Sequence, residues 1–85
     1  MAAGVEIMIN ERDDQRIRRG ILRRLYTLDK WNKNHLLVEN CAHGFPRHEM
    51  RKVKDMIERL IKEGFLIPKP TMHGRAVSLN IESFE

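Results

Sequence analysis

The chain has a single cysteine, Cys41, in 85 residues. No intrachain disulfide can form, and a reducing compartment is expected rather than export. Aromatic residues make up only 6% of the sequence. Trp31 alone is well placed to stack on an unpaired base, so single-stranded RNA recognition has little to build on. No apolar run approaches the roughly 20 residues a membrane-spanning helix needs. The N-terminus lacks a positive region followed by a long apolar stretch, and no lipid-anchor motif is present. Together these absences lead to the expectation of a soluble intracellular protein, cytoplasmic or nucleoid-associated. Internal repeats and low-complexity segments are lacking too.

Catalytic signatures are equally scarce. There is no phosphate-binding glycine loop, nucleophile elbow or His-Glu-x-x-His run. No enzyme and no cofactor are expected, and no small-molecule substrate is evident. Cys41, His43 and His48 lie close in sequence, with His35 nearby. A zinc site usually needs four ligands, often with paired cysteines, and that spacing is missing, so no metal is expected. Cys41 with His43 superficially suggests a thiol–base pair. The plainer expectation is that Cys41 packs in the core as a small hydrophobe.

What the chain does have is charge. Sixteen Lys and Arg face twelve Asp and Glu, giving a net charge of +4 and a pI near 9.6. Such a surplus favours a polyanionic partner, although small basic domains often bind none. Apolar residues are 41% and charged residues 33%, which suits a small globule better than a disordered chain. One domain is the sensible division, with about 60–65% of the unfolded surface buried.

Val5, Ile7 and Ile9 alternate with polar or flexible neighbours, predicting a brief strand or an arm that packs on a neighbour. Ile17, Ile21, Leu25 and Leu28 fall at helical spacing, so a first helix is predicted over about Asp13 to Leu28, with Asn10 a candidate N-cap. Asp29 to Lys33 reads as a connection. A shorter second helix is predicted from about Asn34 to Ala42, capped by Asn32 or Asn34, with Leu36, Leu37, Asn40 and Cys41 inward. Gly44 can supply the positive φ of a tight turn.

A third helix is predicted from Pro46, which suits a first helical position, to Glu63, with Gly64 as its stop. Its buried stripe is Met50, Val53, Ile57, Leu60 and Ile61. Phe65 to Ile67 start a strand. Pro68 to Gly74, with two prolines, is predicted as a loop, and Ala76 to Ile81 as the return strand. Along it Val77, Leu79 and Ile81 face one way and Ser78 and Asn80 the other.

This order resembles the winged helix-turn-helix superfamily. The residues that carry the resemblance are Gly44-Phe45-Pro46 at the turn, then Val53, Ile57, Leu60 and Ile61. The phrase Glu58-Arg59-Leu60-Ile61-Lys62-Glu63-Gly64-Phe65-Leu66-Ile67 and the segment Gly74-Arg75-Ala76-Val77-Ser78-Leu79 complete them. The resemblance implies a mainly α fold with a small β-hairpin (α+β). Three helices would be followed by a wing of two antiparallel strands. Residues 1–10 would form an N-terminal arm, 11–82 the winged-helix domain and 83–85 a tail. It also implies binding of double-stranded DNA by a small transcription regulator, with the third helix in the major groove.

At 100° per residue, His48, Arg51, Lys52, Asp55, Arg59 and Lys62 lie opposite the apolar stripe, with Arg47 at the helix start. Arg51 suits a bidentate guanine contact, and Arg47, His48 and Lys52 suit base or phosphate. Asp55 can accept from cytosine and would repel phosphate. Lys69 and Arg75 in the wing would grip the backbone. Arg16, Arg19 and Arg23 form a second cationic row on the first helix, flanked by Arg18 and Arg24. That row suits phosphate, RNA, an acidic protein or simple solvation.

The competing expectation is a winged-helix module that binds protein within a larger assembly, through Val5 to Ile9 and Trp31. A homodimer is possible, since two-fold DNA readers commonly pair.

Overall fold

The computed structural model describes residues 2–31 and 34–84, with residues 2–11 described by their backbone alone. The architecture is α+β, with three helices and a small antiparallel sheet of three strands. In chain order the elements are α1 (Ala2–Thr27), β1 (Leu36–Leu37), α2 (Val38–Cys41), α3 (Met50–Lys62), β2 (Leu66–Thr71) and β3 (Gly74–Leu79). Short 3-10 turns precede α3 (Arg47–Glu49) and follow β3 (Ile81–Phe84).

The first helix buries Ile17, Ile21 and Leu25 completely, as their spacing implies. Leu28 falls outside the helix and is exposed. Residues 5–9 are helical and continuous with α1, not a strand, so Asn10 is no cap. The expected contacts of Val5 to Ile9 lie outside the described side chains. α1 ends where the backbone N–H of Lys30 donates to Leu25 O (2.9 Å) and that of Asp29 donates to Tyr26 O (3.1 Å).

The predicted second helix is largely replaced. Leu36 and Leu37 pair with Val77 and Ala76 as β1, leaving only Val38–Cys41 helical. The sheet edge captures the backbone of this stretch, and helical spacing cannot reveal such a capture. The side chain of Asn34 donates to Asp29 O (3.3 Å) instead of capping α2, and Asn40 is exposed. Asn32, Lys33 and Glu85 lie outside the described residues.

α3 buries Val53, Ile57 and Leu60 as predicted, together with Met56, while Met50 and Ile61 of the predicted stripe are half-buried at its margins. Pro46 stands just before the helical residues as the cap of the 3-10 turn. Gly64 has a φ of +86°, and the Phe65 N–H donates to Leu60 O (2.9 Å), closing the helix.

β2 continues through Pro68 and Pro70, where a loop was predicted. The strand order β1-β3-β2 puts β2 at an edge. Prolines two residues apart can then both turn their missing donors away from β3. Met72 and His73 alone form the turn. The return strand ends at Leu79, and Ile81 lies in the final 3-10 turn, exposed. Ala76, Val77, Ser78 and Leu79 are all buried, because β3 is the central strand.

A single core gathers Ile17, Ile21 and Leu25 of α1, Val53, Ile57 and Leu60 of α3, and Leu66, Val77 and Leu79 of the sheet. α1 and α3 therefore bury their apolar stripes in the same core and carry their polar faces outward. Among the described residues, no helix is long and apolar enough to cross a membrane.

Candidate nucleic-acid interface

The chain turns at Gly44 (φ +97°) and enters α3 through Pro46. Phe45 points its ring at Gly20 of α1, where an added Cβ would meet Phe45 Cζ at 2.5 Å. This close seat fixes the start of α3 against α1. It leaves Arg47, His48 and Arg51 exposed, with no salt-bridge partner among the described residues. Asp55 is likewise exposed and unpaired among them one turn beyond Arg51.

Three of the other expected cations, Lys52, Arg59 and Arg75, are engaged, whereas Lys62 and Lys69 have no salt-bridge partner among the described residues. Lys52 Nζ donates to Asp13 Oδ2 at 3.0 Å, and Arg59 donates to Asp14 Oδ2 at 2.7 Å, both across the α1–α3 seam. Arg75 of β3 pairs with Glu58 of α3. Such exposed pairs stabilise by only about 0.2–1 kcal/mol each, so they can yield to a phosphate.

The wing residues do not act together. The register places Lys69 opposite Ala76 and Arg75 opposite Pro70. Side chains alternate along a strand, so Lys69 and Arg75 occupy opposite faces of the sheet. Arg75 shares the α3 side with its partner Glu58, and Lys69 is turned from it.

Between α3 and the wing lies an open groove of about 330 Å³, lined by Lys54, Asp55, Glu58, His73 and Arg75 among others. Lys54 was not among the residues singled out in the sequence. Its position on the flank of the helical wheel hides that the wing folds beside it.

Beneath the α3 entrance sits a buried carboxylate. Glu49 is 6% exposed and accepts from Arg16 of α1, at 3.2 Å for the Nη1–Oε1 contact. The Arg16 hydrogen bond holds the Glu49 carboxyl below its ordinary value of 4.5, and Lys52 does the same for Asp13. No local sequence signal announces the Arg16–Glu49 pair, since the partners are 33 residues apart.

Cys41 is fully buried, and desolvation pushes its thiol up to about 11. His43 and His48 are exposed. Among the described residues no three His, Cys, Asp or Glu side chains gather as a metal site.

No protein-family model, curated protein or solved structure matches the chain. The residues and their geometry therefore carry the functional argument.

Proposed function

We propose that this chain is a winged helix-turn-helix module that binds double-stranded DNA as a small, non-catalytic transcription regulator, placing α3 in the major groove. The topology supports the winged-helix reading: helix, strand, two helices, then a hairpin whose second strand lies between the other two. The observation that carries the DNA reading is the exposure of Arg47 and His48 in the 3-10 turn leading into α3 and of Arg51 in its first turn, while the opposite side of α3 buries Val53, Met56, Ile57 and Leu60. A helix of this kind meets base edges with its N-terminal residues. Arg51 reads guanine, Arg47 and His48 hold base or phosphate, and Asp55 disfavours close phosphate while accepting from cytosine. Lys52 and Arg75 join the phosphate contacts by leaving Asp13 and Glu58. Lys69 on the reverse face of the wing contributes least.

A fluorescence-anisotropy titration of a labelled duplex across a salt series tests this reading. Log affinity should fall with log salt at about −0.9 per neutralised phosphate. A flat salt response contradicts the proposal.

A protein-interaction module is the second reading, and one observation favours it. Tyr26, Trp31, Phe65 and Phe84 form a chain of edge-to-face contacts with centroids 5.5–5.9 Å apart. Tyr26 is 68% exposed and Phe84 44%. Exposed aromatics of this kind are typical anchors of protein interfaces. Under this reading, Tyr26→Ser reduces the mass of an assembly in sedimentation and leaves duplex affinity unchanged.

A further inference from the structure

The outward face of α1 is chemically unlike the rest of the surface. Six of the chain's ten arginines lie in α1 and none of its six lysines does. Arg12, Arg16, Arg19 and Arg23 follow one another at spacings of four, three and four residues, which sets them on one stripe. The stripe extends about 16 Å along the helix. It lies opposite the Ile17–Ile21–Leu25 stripe that α1 buries.

Between these arginines lie Gln15 and Gly20, and the half-buried ring of Phe45 sits on Gly20 beside Arg16 and Arg23. The acids of α1 within residues 12–27 are Asp13 and Asp14; Asp14 pairs with Arg59, and Asp13 is shared between Lys52 and Arg16. Arg16 is held by Glu49, which anchors the row. Arg12, Arg19 and Arg23 are exposed and make no salt bridge among the described residues.

A face that served only solubility would need charge and nothing more. Here every cation is a guanidinium, a planar fork that matches phosphate oxygens in pairs. Among the described residues, three unpaired guanidinium groups spaced along one helix face, with Phe45 the one aromatic ring beside them, fit the repeated charges of a hydrated polyphosphate. The row lies on the side of α1 opposite the stripe that packs with α3, and only Arg16 reaches the entrance of α3, through Glu49.

From this arrangement we infer that the α1 arginine row, on the side of α1 opposite its buried stripe, is a second, sequence-independent site for a nucleic-acid phosphate backbone, so that one molecule holds two duplex segments. The holding of two segments rests on the α3 reading; the phosphate site on α1 stands without it.

The test immobilises one duplex on beads and measures capture of a second, labelled duplex by the full chain. Wild type captures it. Arg19→Glu with Arg23→Glu abolishes capture, retains binding to a single duplex, and lowers the salt slope of total binding by roughly one or more. Sedimentation without DNA gives the same mass for wild type and variant, which excludes pairing of chains as the cause of the loss. A variant that captures as well as wild type overturns the inference. So does displacement of the duplex from wild type by polyglutamate as readily as by unlabelled duplex, which would assign the row to an acidic protein.

Arg47→Ala with Arg51→Ala separates the two sites. If this variant binds a single duplex like wild type, the α3 reading fails, and the α1 site still requires that the charge-reversed α1 variant lose salt-dependent binding. If neither pair of substitutions changes the salt slope, the α1 site fails as well.

Discussion

The outer faces of α1 and α3 are both cationic, yet they are built on different plans. The α3 face mixes signs: Arg51, Lys54 and Lys62 alternate with Asp55 and Glu58. Several of its flanking cations already have protein partners, as Lys52 has Asp13 and Arg59 has Asp14. The α1 row is all arginine, with its nearby acids Asp13 and Asp14 paired across the α1–α3 seam and only Asp13 also reaching the row, at Arg16. A mixed face gains discrimination, because a misplaced carboxylate costs affinity on the wrong site. A uniform face gains affinity for any polyanion and discriminates little. Net charge alone would have treated the two as equivalent.

Core truncation has the largest effect and acts on both faces together. Ile57→Ala should destabilise the fold by about 2–5 kcal/mol in urea denaturation, because Ile57 lies in the core that α1 and α3 share. If the two faces were held independently, α1 helicity would survive this substitution, and the comparison would break.

Next come substitutions that alter one face or the seat between them. Arg51→Ala should lower affinity for a preferred, guanine-containing site by about 1–3 kcal/mol and leave random-sequence binding nearly unchanged. Arg19→Ala should weaken all sequences alike and reduce the salt slope by about 0.9. Equal effects of the two on specificity would erase the distinction. Gly20→Val drives Phe45 from its seat and should cost about 1–3 kcal/mol of stability, read by thermal unfolding.

The joint between the faces is sensitive to acid. Arg16 lowers the Glu49 carboxyl below 4.5 in the folded protein, so this pair stabilises fully above about that pH. The contribution is lost as pH falls through the lower, folded value. Glu49→Gln should therefore flatten the acid limb of a stability–pH curve while shifting its neutral plateau downward. The smallest expected change comes from Asp13→Asn, which removes the partner of Lys52 and the second partner of Arg16. Stability should fall by no more than about 1 kcal/mol, and duplex affinity should rise slightly as Lys52 becomes available.

Residue spacing was a good guide wherever local periodicity governs. Ile17, Ile21 and Leu25, and Val53, Ile57 and Leu60, are buried as the helical phase requires. Gly64 ends α3 because its φ is positive, which the sequence position already implied. Long-range pairing was hidden. Leu36 and Leu37 join the sheet only because β3, some 40 residues later, offers them an edge. Pro68 and Pro70 looked like loop residues because their tolerance depends on β2 lying at that edge.

The candidate interface was legible to a similar degree. The exposure of Arg47, His48, Arg51 and Asp55 follows from helical phase. The engagement of Lys52 by Asp13 and of Arg75 by Glu58 does not, and neither does the placement of Lys69 and Arg75 on opposite faces of the wing. The two ion pairs depend on how separate elements are docked, and the wing placement on the register that the Met72–His73 turn sets.

The most direct measurement is an amide chemical-shift map of the chain titrated with a mixed-sequence duplex. The account predicts the largest shifts at residues 47–55, with a second group along the outer face of α1 between residues 12 and 23. Silence at 47–55 together with shifts gathered around Tyr26, Trp31 and Phe84 would contradict it.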